Sequence, residues 1–485
     1  LFADPLLIPS FDGGMRNRLL DACRFDWSGI SPAIFGSLFQ SVMDKNERRA
    51  QGAHYTSEKN ILKVIQPLFL DELRAEFDRL RNRKDSRRRV ELQAFHERLG
   101  AMTFFDPACG CGNFLIIAYR ELRELEIELI RELRAYRAAE AQGELDAAEL
   151  SLINVDQFYG IEIGEFPARI AETALWMMDH IMNNRLSLAF GQTYVRIPLR
   201  KSPHIAVGNA LDMDWQTLLP SKDCTFLFGN PPFIGHQWRT KDQQADMARI
   251  WGKEGQVNRL DYVTCWFKKA MTYADQGRKA EIAFVSTNSI TQGEQCGILW
   301  PVMFAGGLSI RFAHRTFQWN SEARGKAAVH CVIVGMTYKK PSQCMIYEYD
   351  HVRGEPHEAK VARINGYLID GPQYSVPARS QPPAGRLKMH KGSQPTDVAI
   401  LKKPEGGYLK FSNLILEESD RQALLAEDPN AAKWLKSYVG GEELINGVWR
   451  WCLWLKDADP KEIRASKPVQ ERLERDRTGR LTSPT

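Results

Sequence analysis

Four consecutive residues, Asn230-Pro231-Pro232-Phe233, bring together the groups needed to hold a planar amine. Asn230 offers an amide with one acceptor oxygen and two donor hydrogens. Two successive prolines remove two backbone donors and fix two φ angles, so the turn is stiff and its carbonyls have no ladder partner. Phe233 adds a flat apolar face. Such a set could grip an exocyclic amine between two acceptors while the ring stacks on the base that carries it. Taken alone, the tetrapeptide is also what a proline-stiffened loop looks like. The apolar run Phe226-Leu227-Phe228 before it reads as a buried strand that the prolines end.

A second set lies upstream. Met102-Thr103-Phe104-Phe105 reads as a short buried strand, followed by Asp106-Pro107-Ala108-Cys109-Gly110-Cys111-Gly112-Asn113-Phe114 and a long helix. Strand, glycine turn and helix is how an open parallel sheet presents a nucleotide-like ligand at its carboxyl edge. Gly110 and Gly112 do not continue into the dinucleotide G-x-G-x-x-G spacing, and the Lys of a phosphate loop is absent. An acid at the strand tip, Asp106, would repel a pyrophosphate and attract an ammonium or a sulfonium. That charge argument points to S-adenosylmethionine as the cofactor. Glu162, with Ile163 after it, ends a second strand (158–163) where a carboxylate can take both ribose hydroxyls. A third strand (204–207) leads to Asn209 and Ala210, with Asn209 placed to read the cofactor's adenine.

These tips need a scaffold. Strands alternate with helices, which predicts an α/β fold with a mostly parallel sheet and an antiparallel closing strand. Helices are expected over 14–22, 32–44, 58–80, 113–141, 165–183, 261–275 and 291–304, with a fifth strand over 281–286. The 113–141 helix alternates charges at helical spacing and reads as solvent-exposed along one side. Ile310–Ala313 and Ala327–Gly335 read as a final strand pair, with His314–Asn320 in the loop between. No role is assigned to 192–201.

At 485 residues, with 44% hydrophobic and 26% charged positions, the chain suits a soluble protein of two or three domains. No apolar run reaches the ~18 residues of a membrane span, and no secretory leader is visible. Nine scattered cysteines fit a reducing cytoplasm, and the Cys109-x-Cys111 spacing is not a zinc knuckle, so no metal is expected. The absence of an initiator Met and the abrupt end suggest a segment of a longer polypeptide. The basic run Arg81–Arg89 reads either as a solvated helix face or as a phosphate contact surface. Trp449–Leu455 reads either as nucleic-acid-facing surface or as a small β-rich core.

The ordered set, Asp106–Phe114 followed by Gly229–Phe233, resembles class I S-adenosylmethionine-dependent DNA adenine-N6 methyltransferases of the gamma arrangement. Gly52–Ser57 resembles their cofactor-capping segment. Thr316–Trp319, Asn413–Glu418 and Trp434–Trp454 are similar to MmeI-like (type IIL) restriction–modification enzymes. The resemblance implies a Rossmann-like methyltransferase domain over 51–344, a partial helical spacer over 1–50 and a target recognition domain over 345–485. It implies that Asp106, Gly110 and Gly112 line the methionine side, that Pro107, Ala108 and Asn113 also bind the cofactor, and that Tyr55 and Thr56 close over it. Asn230, Pro231, Pro232 and Phe233 would be catalytic, with Phe317 stacking on a flipped adenine opposite Phe233. Double-stranded DNA is the implied partner, and the family's nuclease would lie upstream of Leu1. Cytosine-N4 methylation, RNA or protein amine methylation, and an idle DNA-binding specificity module are the competing readings.

Overall fold

The computed structural model describes residues 12–24, 56–139, 151–191, 201–252, 256–277, 280–319, 329–374, 376, 381, 384–385, 398–402 and 408–481. The chain divides into two compact units, Leu1–Ala378 and Arg379–Thr485.

The first unit is built on a nine-stranded sheet of order β3-β2-β1-β4-β5-β7-β6-β8-β9. Its strands are β1 Phe104–Asp106, β2 Phe158–Glu162, β3 His204–Val207, β4 Phe226–Gly229, β5 Glu281–Thr287, β6 Ser309–Trp319, β7 Val329–Thr337, β8 Cys344–Glu348 and β9 His357–Val361. The first five run parallel, and β7 enters antiparallel between β5 and β6. The sheet continues past residue 345, because β8 pairs parallel with β6 and β9 antiparallel with β8.

Both faces of the sheet are covered, and alternate side chains divide between two cores. Phe104, Phe226, Phe228 and Val285 join Leu68, Phe69, Leu115 and Leu175 on one side. Phe105, Leu227, Ile282 and Phe284 join Trp215, Phe267, Leu299 and Trp300 on the other. Register aligns Phe104 with Phe158 and with Phe226 on its two neighbours. Their rings stack at 4.8 and 5.6 Å, an aromatic row across the middle of the sheet.

The described helices cover the expected segments with adjusted ends. They include Gly13–Arg24, Glu58–Ile65, Asp71–Arg81, Asn113–Ala139, Glu165–Phe190, Thr264–Asp275 and Gly293–Ala305. Residues 32–44, Tyr55 and 192–200 lie outside the described residues. A π-turn at Gln66–Leu70, with Pro67 in its first turn, joins the two helices expected as one over 58–80. Ser57 stands at the N-cap of Glu58–Ile65 without a side-chain capping bond.

Two expectations are corrected. His314–Trp319 is strand, not loop: β6 runs unbroken to Trp319, with irregularities in its pairing to β7 between Ile310 and Phe312 and between His314 and Phe317. The Asn113–Ala139 helix does not present all its charges to water, since Arg123 and Glu126 are both fully buried. Arg123 donates to the Tyr119 hydroxyl (2.9 Å) and Asn183 Oδ1 (3.0 Å) and pairs with Glu126 (3.2 Å) and Asp179 (3.4 Å). Glu126 in turn meets His96 at 2.9 Å and accepts from the Ser151 hydroxyl and the N–H groups of Leu152 and Ile153.

In the second unit β10 (Val398–Lys402) pairs with β11 (Tyr408–Ser412), and β12 (Ile415–Leu416), β14 (Arg450–Leu453) and β13 (Leu435–Tyr438) form a three-stranded antiparallel sheet. Its core holds Leu416, Leu424, Ala431, Trp434, Leu453 and Val469. No helix among the described residues is long and apolar enough to cross a membrane.

Arg123→Ala would leave Asp179 without its cation and Glu126 with only His96 and its hydroxyl and N–H donors. Urea unfolding is expected to show a loss of about 3–5 kcal/mol, as for other broken buried ion pairs.

Candidate active site

The carboxyl edge of the parallel strands gathers the candidate residues. Asp106 ends β1 at 1% exposure and accepts from the Ala108 N–H at 3.0 Å. Burial, with the Glu162 charge adding to it, pushes its carboxyl up to about 8. Pro107 is buried, and its carbonyl accepts from Trp266 Nε1 at 3.1 Å. Ala108, Gly110 and Asn113 are half-buried around the turn, and Asn113 Oδ1 is buried without a hydrogen-bond partner.

Two glycines in this turn have left-handed backbones, with φ of 55° at Gly110 and 82° at Gly112. A Cβ on Gly112 would meet the Ala171 Cβ at 2.9 Å, so the turn lies directly on the Glu165–Phe190 helix. A Cβ on Gly110 would meet nothing within 4 Å, so the backbone there faces open space.

Glu162 ends β2 and holds two loops at once. Its oxygens accept from the Gly110 N–H (3.0 Å) and the Gly164 N–H (2.9 Å). Burial pushes its carboxyl up, against the pull of those two N–H groups. A carboxylate has about four acceptor sites, so lone pairs remain for a diol. Ile163 beside it is 62% exposed, an apolar surface next to that acid.

Beyond β3, Asn209 Oδ1 accepts from the Leu211 N–H at 3.0 Å, and its Nδ2 lies 3.1 Å from both carboxylate oxygens of Asp246. Ala210 is buried, with its carbonyl on Trp215 Nε1 at 2.8 Å.

At the tip of β4, Asn230 Nδ2 donates to the Thr56 hydroxyl at 3.1 Å. Asn230 Oδ1 is buried with no hydrogen-bond partner. Pro231 is buried, while Pro232 and Phe233 are half-buried, and Phe233 packs against both cores. The loop is held from behind by Asp261, whose Oδ1 accepts from the Ile234 N–H at 3.0 Å, and by the Tyr262 N–H on the Ile234 carbonyl at 3.1 Å.

Asp106 and the Asn230 loop are neighbours. A Cβ on Gly229 would fall 2.3 Å from Asp106 Oδ1, so only glycine lets β4 end beside that acid.

Phe317 is 1% exposed within β6. Tyr349 stacks on it at 5.3 Å, and Lys63 Nζ lies 4.3 Å over its ring. A base can reach this ring only after a neighbour moves aside. Spacing did not single out Asp246, Asp261 or Tyr262, since their partners come from distant segments. Among the described residues no cluster of His, Cys, Asp and Glu could hold a metal ion, and the cysteines are free thiols.

The family described as MmeI, DNA-methyltransferase domain, matches residues 80–348, and MmeI, target recognition domain, matches 370–485. The solved structure of the Type IIL restriction-modification enzyme MmeI in complex with DNA is 48% identical, with a TM-score of 0.81, covering 100% of this chain and 62% of that one. DNA methyltransferase A of Bacillus subtilis is 36% identical over 98% of this chain and 51% of its own length. A putative type II restriction enzyme and methyltransferase of Methanocaldococcus jannaschii is 22% identical over 30% of this chain and 14% of its own. The chain thus spans about half the length of the first of these curated relatives.

Gly229→Ala is expected to push Asp106 and the β4 tip apart, lowering the unfolding free energy by about 1–3 kcal/mol in urea denaturation.

Proposed function

The chain belongs to the MmeI DNA-methyltransferase family, and from that premise we propose that it methylates adenine N6 in duplex DNA, with S-adenosylmethionine as donor, in a restriction–modification system of the cytoplasm. The observation that carries this reading is the Asn230 amide: its nitrogen is held by Thr56 and its oxygen is buried without a partner. A buried acceptor left unpaired costs free energy, and an incoming N–H would relieve it.

The residues present suit the cofactor. Asp106 supplies a buried carboxyl that a cation on the methionine side would ionise, Gly110 an unobstructed backbone, and Glu162 free lone pairs for the ribose. Asn209 would read the adenine, and Thr56 would border the same space. When bound, S-adenosylmethionine supplies an electrophilic methyl group on a sulfonium.

Adenine N6 is a weak nucleophile because its lone pair is delocalised into the ring. Asn230 Oδ1 and the Pro231 carbonyl would accept its two hydrogens, drawing the nitrogen out of plane and freeing the lone pair. The stiff proline turn holds both acceptors, so positioning contributes more than acid–base chemistry. The adenine must leave the duplex, which costs a few kcal/mol. Stacking on Phe233, and on Phe317 once Lys63 withdraws, would offset part of that cost. Residues 370–485, matched by the target recognition family, would read the flanking sequence.

Transfer of radiolabelled methyl to duplex DNA, followed by mapping of the modified base, tests the reading. A label on cytosine, RNA or protein would overturn it. Asn230→Ala is expected to lower methyl transfer by about 10²–10³-fold or more while cofactor affinity stays within about two-fold. Equal loss of both would remove Asn230 from the catalytic role.

A pH linkage follows from Asp106. Its carboxyl, raised from 3.8 to about 8 in the free protein, is mostly protonated at pH 7. A cationic ligand favours the ionised form and draws the value down. Binding of S-adenosylmethionine is therefore expected to tighten as pH rises toward 8 and to release up to about one proton at pH 7. Calorimetry in buffers of different ionisation enthalpy measures that release, and Asp106→Asn should abolish it.

A further inference from the structure

An asparagine can read a purine in two opposite ways. Its oxygen end accepts from a 6-amino group, and its nitrogen end donates to a 6-oxo group. Whatever holds the other end of the amide decides which is presented. At Asn209 that holder is Asp246, on the helix Lys241–Trp251. Both Asp246 oxygens lie 3.1 Å from Asn209 Nδ2. Asp246 is 5% exposed and ion-paired with Arg249, and it accepts from the Tyr262 hydroxyl at 2.6 Å. A carboxylate has no hydrogen to give, so it can face only the NH2 end of the amide. Asn209 Oδ1 is thereby turned to the other side, where the Leu211 N–H takes one lone pair at 3.0 Å and a second remains.

We propose that Asp246 is a positioning residue that locks Asn209 as a hydrogen-bond acceptor, so that the cofactor pocket selects a 6-amino purine over a 6-oxo purine. This rests on the reading of Asn209 as the residue that meets the cofactor's adenine. Asp246 does not itself touch the purine. Its effect is on the direction of the Asn209 amide.

The chemistry of the neighbours makes the test specific. Arg249 donates to one Asp246 oxygen and the Tyr262 hydroxyl to the other, with Asn209 Nδ2 between the two, so the lock uses both oxygens. An amide at 246 keeps one acceptor and sets its NH2 against the Asn209 NH2, so either end of the Asn209 amide finds one partner and one clash, and Asp246 no longer fixes its direction.

The experiment is calorimetric titration of the full chain with S-adenosylhomocysteine and S-inosylhomocysteine, which differ in the 6-substituent of the purine. The wild-type protein is expected to prefer the adenosyl compound by about ten-fold or more. Asp246→Asn should lower that ratio several-fold, with the Leu211 N–H alone still favouring the oxygen end. Asp246→Ser, whose hydroxyl suits either end of the amide, should do the same and stands in if Asp246→Asn does not fold. The double variant Asn209→Asp/Asp246→Asn restores an acceptor-only group at 209 and should restore the preference, a rescue that general damage to the fold would not produce. Retention of the full preference in the single variants, or no recovery in the double, overturns the proposal. A wild-type protein that binds neither compound overturns the cofactor reading and this inference with it. One that binds both equally overturns the inference alone.

Discussion

Asp106 and Gly229 sit at the ends of adjacent parallel strands, and the missing side chain of the glycine is filled by the carboxylate of the acid. Everything at the carboxyl edge is arranged around that contact. A buried carboxyl needs N–H partners or a cation, and Asp106 has the Ala108 N–H with its remaining capacity open. The residue after Gly229 is Asn230, whose oxygen also lacks a partner. Two unmet demands of different chemistry, one for positive charge and one for donated hydrogens, are thus brought together by one pair of strands. Under the proposed function, a methyl donor and the amine that receives the methyl would answer them respectively. The Phe104, Phe158 and Phe226 row keeps these strands in register, since a one-residue slip would move each ring to the opposite face.

The loops at this edge are held by carboxylates acting on the backbone. Glu162 ties the glycine turn to the start of the Glu165–Phe190 helix, and Asp261 ties the proline turn to the segment before Thr264–Asp275. In each case an acid from one element accepts from the N–H of another. The loops that carry the candidate residues are therefore tied to the sheet, although none of them is strand.

Much of this was legible in the order of residues. Each apolar run that forms β1, β2, β3 and β4 ends on, or is followed within two residues by, a carboxylate or an amide, and those four ends fall on one edge. What the order hides depends on distant partners. Arg123 and Glu126 have the spacing of an exposed helix pair, yet they are buried because His96, Ser151, Asp179 and Asn183 come to meet them. Asp246 and Arg249 have the same local look, yet Asn209 and Tyr262 make the acid interior while Arg249 stays exposed. The strand β6 was missed over His314–Trp319 because two irregularities in its pairing interrupt the two-residue alternation that marks a strand. Phe317 and Trp319 nevertheless point into the core on either side of Gln318.

The hydrogen bond from Asn230 to Thr56 spans 174 positions of sequence. Closing a loop of that length costs entropy, which the helix Glu58–Ile65 offsets by burying Ile61, Val64 and Ile65. With the Thr56 segment undocked, the Asn230 amide would be free to rotate and present either end. The direction of that amide thus depends on a segment far from it in sequence. Under the proposed function, a chain with that segment loose would keep its sheet and lose its reactivity.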